Sequence, residues 1–417
     1  MDLATNSLYI FMAGDNNLDI SGVEDIDEMM KADLAPGINV VAQFDRRKAM
    51  PWEDAATCTT KRLKIENHQL LPQADIGETN TGDPVVLREF LSWCTDTFPA
   101  QRRIVVIWNH GGGIKDTDIY KNVANKVKST LFVPASQRRS TPVSISADGA
   151  EMMQLREIDA ALNLPQRVVC TDDSSRDFLD SLELKSAFAI PGQRYDILAF
   201  DACMMNMFEV VHQMRGSADI IIGSEEVEPA DGWPYRPILD HLSAHATTTN
   251  DDLARAIVDL YAASYAGTPE NVTQSAVRTA ELDVTATCLD AFARALADAL
   301  PTKKSLLADI LLSVQRFRDG DYIDLKDFAL LCSKNVAHPG VVESAQSLLE
   351  HLDRAVITNS ALGEKVKNAH GMSIYFPLKA APSEEVLHTY RALDFTMSHP
   401  NWLRLITDFH IRPGLQR

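Results

Sequence analysis

Residues 103–113, RIVVIWNHGGG, begin as an apolar strand and end in a polar, glycine-rich turn. The first six of these residues are mostly β-branched or aromatic, a composition typical of a strand that is buried on both faces. A second stretch, YDILAFDAC at residues 195–203, has the same organisation. One strand therefore leads directly into His110 and the other into Cys203, two residue types that carry out chemistry.

Short apolar strands alternate with helical stretches through the first half of the chain. This alternation predicts an α/β fold with a mostly parallel sheet. The predicted strands are residues 7–13, 38–44, 103–108, 195–200 and 219–224, and the predicted helices between them are residues 18–31 and 84–94. Asp83 followed by Pro84 is typical of a helix start, with the carboxylate as the cap and proline at the first helical position.

The second half of the chain is predominantly helical, so we predict a core of residues 1–240 and a mainly helical region of residues 241–417. Helices are predicted at residues 250–266, 283–300 and 341–357, and two strand-like pieces, 273–277 and 371–377, are expected to extend the central sheet. Between the third and fourth strands, about residues 115–165 form a segment rich in turn signals. A connection of that length inside a compact domain is either functional or mobile.

The overall charge excludes several classes of partner. The 417 residues include 58 acidic and 40 basic side chains, a formal net charge of −18. A polyanion would be repelled at long range, so we expect no binding to nucleic acid or to an anionic membrane.

Three features of the sequence concern the location of the protein. No apolar run is long enough to cross a bilayer, and the first residues lack the features of a secretory signal. The six cysteines form no CxxC pair. These features lead us to expect a cytoplasmic location.

His110 and Cys203 are expected to lie close together, because the carboxyl ends of parallel strands meet at one edge of a sheet. A thiol needs a base to become an effective nucleophile, and histidine is a common one. The glycines after His110 leave the backbone N–H groups accessible. We therefore predict an oxyanion hole formed by the N–H groups of Gly111 and Cys203.

Each of these signals is weak by itself. A cysteine at a strand end is usually a small buried apolar residue, and a histidine beside glycines is often structural. The three glycines lack the spacing of a phosphate-binding loop, so a phosphate-binding protein is disfavoured. The chain contains neither the GxSxG motif of serine hydrolases nor the HExxH motif of metalloproteases.

Together, the two segments resemble the His and Cys blocks of the clostripain-like cysteine peptidases, which belong to the caspase-like clan. Further segments are similar to family patterns: MAGDNNL at 12–18, NTGDP at 80–84, GSEE at 223–226, DGWPY at 231–235, YIDLKDF at 322–328 and GMSIYFP at 371–377. The resemblance extends from about residue 8 to about residue 377. It implies a caspase-like α/β/α sandwich around a mostly parallel sheet, with a helical C-terminal extension.

The resemblance also implies roles for individual residues. Cys203 corresponds to the nucleophile of a cysteine endopeptidase and His110 to its partner in a dyad. Asp201 resembles an acidic residue of the S1 pocket, where a carboxylate would pair with Arg or Lys at P1. Asp231 resembles a second pocket acid. For either aspartate the alternative is a carboxylate that caps a loop.

The connection between the His and Cys blocks of this family can contain a self-cleavage site. Arg138 and Arg139 would suit an enzyme that prefers basic P1 residues, and Lys128 is a weaker candidate; an inert solvated loop is the alternative. Calcium dependence occurs in the family, but no stretch has the spacing of a defined calcium loop, so we assign no metal and expect no cofactor.

The expected partner is a peptide or protein substrate with a basic P1 residue, and the oligomeric state is not indicated. Five acidic residues between positions 219 and 231 would attract basic peptides if they lie at the same sheet edge as Cys203. A catalytically silent scaffold or protein-binding module is the alternative function.

Overall fold

The computed structural model describes residues 3–47, 58–66, 68–114 and 169–411. The strands in these ranges are β1 (Ala4–Gly14), β2 (Ile38–Arg46), β3 (Thr60–Glu66), β4 (Gln69–Gly77), β5 (Ala100–Trp108), β6 (Val169–Asp172), β7 (Asp177–Leu179), β8 (Tyr195–Asp201), β9 (Ala218–Gly223), β10 (Val272–Arg278), β11 (Tyr322–Asp324), β12 (Val356–Leu362) and β13 (Ser373–Tyr375). The α-helices are α1 (Asp19–Met29), α2 (Pro84–Thr97), α3 (Ser181–Phe188), α4 (Phe208–Gln213), α5 (Tyr235–Ala244), α6 (Asn250–Ser264), α7 (Leu282–Ser313), α8 (Leu325–Asn335), α9 (Pro339–Ala355), α10 (Glu384–Ala392), α11 (Asp394–Ser398) and α12 (Asn401–His410).

A nine-stranded sheet forms the centre of the molecule, in the order β12-β10-β9-β8-β5-β1-β2-β3-β4. The five strands from β9 to β2 are parallel to one another. Antiparallel strands extend both sides, the β3–β4 hairpin on one and β10 with β12 on the other. The predicted α/β fold with a mostly parallel sheet is therefore confirmed.

Both faces of the sheet are covered by helices, because successive side chains of a strand point to opposite faces. Tyr9 and Phe11 of β1 belong to one apolar core, together with residues of α2, α3, α4 and α7. Leu8 and Ile10 belong to the other core, with residues of α1, α5 and α6. Complete burial of one such side chain contributes about 1.5–3 kcal/mol, so the two cores fix the α/β/α layers.

The region after residue 240 differs from the sequence prediction in two helices and in one strand. The two helices differ in where they end. The helix predicted to end at residue 300 continues through Pro301 to Ser313, because Leu307, Ile310 and Leu311 continue its buried stripe. The helix predicted over 341–357 ends at Ala355, and the chain then forms strand β12 at the edge of the central sheet.

The strand predicted over residues 371–377 does not extend the central sheet, which corrects that expectation. It forms β13, which pairs with β11 in a separate two-stranded sheet. Its backbone is bound to the segment that follows Cys203: Ser373 N–H donates to the Asn206 carbonyl (3.1 Å), and Tyr375 N–H donates to the Glu209 carboxylate (2.9 Å).

The topology places β1, β5 and β8 side by side, so that their carboxyl ends meet. Trp108 at the end of β5 pairs with Asp201 at the end of β8. Asn109 N–H donates to the Asp201 carbonyl oxygen (3.2 Å), which joins the two strand ends. Within the described ranges, none of the helices has the length and apolarity needed to span a lipid bilayer.

Candidate active site

A cavity of about 320 Å³ opens at this carboxyl edge of the sheet. It is lined by four of the residues that the sequence singled out: His110, Gly111, Asp201 and Cys203. The register of β5 and β8 accounts for this meeting, because each of the four residues lies at or just beyond the end of one of these strands. The predicted proximity of the histidine and the cysteine is thus present in the structure.

The Cys203 thiol is half-buried and is held by the backbone of Glu228. Glu228 N–H donates to Sγ at 3.3 Å, and the thiol lies 3.8 Å from the carbonyl oxygen of the same residue, to which it donates. Burial, followed by the nearby Glu228 carboxyl, raises the pKa of the thiol to about 12. The thiol is therefore neutral at pH 7 and needs a base to become a nucleophile.

His110 is positioned by a residue at the end of a third strand. Its Nε2 lies 2.7 Å from Oδ1 of Asn17, in the turn after β1. Because an amide oxygen only accepts, this contact places the ring proton of the neutral imidazole on Nε2 and leaves Nδ1 as the basic nitrogen. Desolvation lowers the pKa of His110 to about 4, so the ring is neutral at pH 7 and free to accept a proton.

The turns that carry Asn17 and His110 are fixed to one another by buried amides. The side chain of Asn109 donates to the Ala13 carbonyl and accepts from the Thr171 N–H (2.9 Å). Asn16 donates to the same Ala13 carbonyl (2.9 Å) and to the Thr171 carbonyl (2.8 Å). The loop ends of β1 and β5 are thereby held in one arrangement with β6.

Gly111 is in direct backbone contact with Cys203. A Cβ atom at this position would lie 2.1 Å from the Cys203 carbonyl oxygen and 2.8 Å from its nitrogen, distances that real atoms do not adopt. The backbone of Gly111 also lowers the pKa of the Cys203 thiol and so opposes the effect of burial. Only glycine therefore permits the two loops to touch at this point.

Asp201 lies in the buried floor of the cavity and is 5% exposed. Tyr235 donates its hydroxyl to Oδ2 at 2.7 Å. Burial raises the pKa of Asp201 to about 6. Behind it, Asp25 accepts a hydrogen bond from the Trp108 indole (2.6 Å), and burial together with the charge of Asp201 raises the pKa of Asp25 to about 9. Burial therefore disfavours the ionised form of Asp201 and, more strongly, that of Asp25.

The structure places Asp231 apart from this cavity. Asp231 is exposed and lines a neighbouring cavity of about 570 Å³, together with Glu28 and Glu270. Besides Asp201, the acidic residue that lines the Cys203 cavity is Glu228, which is 8% exposed. Glu228 Oε1 accepts from Nε2 of Gln274 at 3.2 Å.

Sequence reasoning gave no role to three residues of this cavity: Asn17, Glu228 and Arg318. Asn17 follows the first predicted strand, so the argument that brought His110 and Cys203 to one edge applied to it as well. Glu228 was noted only as part of an acidic run. Arg318 comes from the distant turn before β11 and is exposed, and no local pattern pointed to it.

Two further predictions concern other parts of the chain. Arg138, Arg139 and the whole segment 115–165 that contains them, Lys128 included, lie outside the residues that the structure describes. In the described ranges, no group of three or more His, Cys, Asp or Glu side chains is arranged to hold a metal ion.

Comparison with known proteins identifies relatives of this chain. The model of the clostripain family matches residues 10–128 and 157–409. Clostripain from Hathewaya histolytica is 27% identical over 272 residues, which cover 59% of this chain and 44% of that protein. The chain thus matches less than half of the length of this curated relative.

Solved structures show the same fold. One is an inactive zymogen C11 protease from Parabacteroides distasonis, with a TM-score of 0.64 and 19% identity over 96% of this chain and 99% of that one. Another is a secreted C11 cysteine protease from Bacteroides thetaiotaomicron named "iotapain", with a TM-score of 0.65 and 14% identity over 95% of this chain and all of that one. At these identities the likeness concerns the fold.

Proposed function

The chain belongs to the clostripain family, and from this premise we propose that it is a cysteine endopeptidase that cleaves peptide bonds after Arg or Lys. Cys203 is the nucleophile and His110 is its base. The observation that carries the proposal is the single cavity lined by His110, Cys203 and Asp201. It combines a thiol, a neutral imidazole and a buried carboxyl at the edge where parallel sheets place their functional groups.

The residues support a two-step acyl transfer. His110 accepts the thiol proton while Sγ of Cys203 bonds to the scissile carbonyl carbon, and the N–H groups of Gly111 and Cys203 receive the developing oxyanion. His110 then gives this proton to the leaving amine, the C–N bond breaks, and a thioester remains on Cys203. Water adds to the thioester carbon, His110 takes and returns its proton, and the new carboxylate leaves as the thiol forms again.

Asp201 is proposed to select the P1 residue. A guanidinium or ammonium group that enters the cavity would pair with this carboxyl, and the low local dielectric would strengthen the pair. The positive charge also favours the ionised carboxylate, whose pKa burial has raised. Arg would make two parallel hydrogen bonds to one carboxylate, whereas Lys would make a single charged contact.

Labelling with an irreversible probe tests the assignment of the nucleophile. A peptidyl chloromethyl ketone with Arg at P1 is expected to modify Cys203 alone, as located by peptide mass mapping. Cys288 is the matched control because it is also half-buried but lies in α7, outside the cavity. Cys288→Ala should label like the wild type and Cys203→Ala should not label. A silent scaffold, the alternative function, would show no preference for Cys203.

Self-processing at Arg138 or Arg139 is part of the proposal. An enzyme that selects basic P1 residues would accept either one if the segment reached an active site. Intact-mass analysis of the wild type and of Cys203→Ala tests this. We expect a cut after Arg138 or Arg139 in the wild type and an uncut chain in the variant. A cut that persists in Cys203→Ala would remove self-processing from the proposal.

A further inference from the structure

Glu228 contacts the reacting thiol and the specificity pocket at the same time. Its backbone N–H donates to Sγ of Cys203 at 3.3 Å. Its side chain lines the cavity that also contains Cys203 and Asp201. A single residue therefore lies between the atom that would attack the substrate and the pocket that would hold its P1 side chain.

The Glu228 carboxyl is buried without a full set of partners. Oε1 accepts from Gln274, whereas no N–H or O–H group of the described residues donates to Oε2. The side chains of Glu228 and Asp201 lie next to each other, and burial followed by the charge of Asp201 raises the pKa of Glu228 well above its usual value. Two carboxyl groups lie this close when one of them keeps a proton. The pocket thus holds two adjacent carboxyl groups that share one proton.

An arriving cation would satisfy both carboxyl groups. Buried carboxylates are stable when they are paired, and an arginine fork has five donors for two acceptor groups. Asp231, which the sequence suggested as the second pocket acid, is exposed and lines the neighbouring cavity. Burial and position therefore favour Glu228 for this role.

We propose that Glu228 is the second carboxylate of the P1 pocket and that a cation bound there activates the Cys203 thiol. The inference rests on the proposed peptidase function and adds a link between substrate recognition and the chemical step. An uncharged P1 residue would leave the thiol in its resting state even when the peptide is bound.

The connection between cation binding in the P1 pocket and ionisation of the Cys203 thiol is electrostatic. Glu228 and Glu226 both raise the thiol pKa beyond the effect of burial. The cavity is also lined by His110, which is neutral at pH 7, and by the Arg318 guanidinium. A cation bound between Glu228 and Asp201 would place a further positive charge beside the thiol and offset the negative charge that the two carboxyl groups share. A fall of one unit in the thiol pKa gives about ten times more thiolate at a fixed pH below that pKa.

Alkylation of Cys203 by iodoacetamide measures this activation without a peptide. The reagent is small and uncharged, and its Sγ–C bond forms as iodide leaves. Ethylguanidinium chloride, a fragment of the arginine side chain, is added at constant ionic strength, and the modified cysteine is identified by peptide mass mapping. In the wild type we expect ethylguanidinium to accelerate modification of Cys203 about tenfold and to leave Cys288 unchanged.

Glu228→Gln is the diagnostic variant, because it keeps the shape of the side chain and removes its charge. We expect it to abolish the acceleration and to lower kcat for a peptide with Arg at P1. Glu270→Gln is the matched control, since it removes an exposed acid of the neighbouring cavity. Thermal unfolding of each variant checks that it is folded.

The outcomes separate this inference from the proposed function. Wild-type enzyme that cleaves after Arg but shows no acceleration, or slower alkylation, would overturn the link and leave the peptidase proposal standing. Glu228→Gln with unchanged kcat and unchanged acceleration would also overturn it. Wild-type enzyme that fails to cleave after Arg or Lys would instead contradict the proposed function. Alkylation of the wild type with and without ethylguanidinium uses no variant. It therefore tests the activation of Cys203 even if Glu228→Gln folds poorly.

Discussion

At the scale of single residues, Asn17 holds the ring of His110 by a side-chain hydrogen bond. One hydrogen bond of 2.7 Å to Nε2 selects the tautomer with a basic Nδ1. Asn17 acts through another residue, so we regard it as a positioning residue. Its place after β1 shows that three neighbouring strands, rather than two, contribute to the cavity.

Asn17→Ala is expected to lower kcat about 10- to 100-fold with little change in KM, because the ring loses its orientation while the pocket is intact. Steady-state cleavage of a peptide with Arg at P1 measures this effect. Asn17→Asp should preserve the contact and raise the pKa of His110, since a carboxylate favours the imidazolium form. The acid limb of its kcat profile should therefore move to higher pH. Identical pH profiles of wild type and Asn17→Asp would contradict the positioning role.

We expect Asp201 to give the activity a pH dependence that is specific to substrates with a charged P1 residue. Burial raises the pKa of this carboxyl to about 6, so it gains a proton as the pH falls through that value and no longer attracts a cation. We expect kcat/KM for a peptide with Arg at P1 to fall below about pH 6. A peptide with a neutral P1 residue should show no such fall.

Asp201→Asn provides the corresponding substitution test. We expect cleavage after Arg to decrease about 100-fold and cleavage after a neutral residue to change much less, because only the cation loses its partner. The ratio of the two kcat/KM values is the readout. An unchanged ratio would exclude Asp201 from P1 selection.

At the scale of elements, the contact between the loops after β5 and β8 is the most constrained feature of the site. A Cβ atom at Gly111 would overlap the backbone of Cys203. Gly111→Ala should therefore separate the two loops, displace the N–H that we assign to the oxyanion hole, and lower kcat about 10²- to 10³-fold. We expect a loss of about 1–3 kcal/mol in the free energy of unfolding as well. Wild-type kcat in this variant would contradict the assigned role of Gly111.

The sequence predicted those elements whose local pattern agrees with the final fold. β1, β5 and β8 are continuous apolar runs, and each leads into polar residues at the functional edge. The β3–β4 hairpin was not predicted, because charged and exposed residues interrupt its strands. The first two residues of β12, Val356 and Ile357, were assigned to the end of a helix, since only the pairing with β10 makes this segment a strand.

The site was predictable to the extent that strand ends determine it. His110, Gly111, Asp201 and Cys203 meet because β5 and β8 are parallel neighbours. Glu228 and Arg318 reach the cavity through loops whose paths depend on tertiary packing. The dependence of loop paths on tertiary packing also explains why the sequence did not reveal the position of Asp231. This residue lies three positions from Glu228 in the sequence but lines a different cavity.

At the scale of the whole molecule, the acidic run between positions 219 and 231 is not one attractive surface. Asp219 lies at the start of β9, the end opposite the cavity, and pairs with Arg194 at 2.6 Å. Glu225 is buried and accepts from Gly371 N–H at 2.8 Å. The condition for attraction by all five acids, a shared position at the sheet edge of Cys203, is therefore not met. The acidic character that concerns the site is local and comes from Asp201 and Glu228.

The central claim is that Cys203 performs covalent peptide cleavage after basic residues, and turnover of one substrate tests it most directly. A fluorogenic peptide with Arg at P1 should be hydrolysed by the wild type. Cys203→Ala, with an unchanged thermal unfolding curve, should lose at least about 10³-fold in kcat. Undiminished turnover by the folded Cys203→Ala variant would contradict the account.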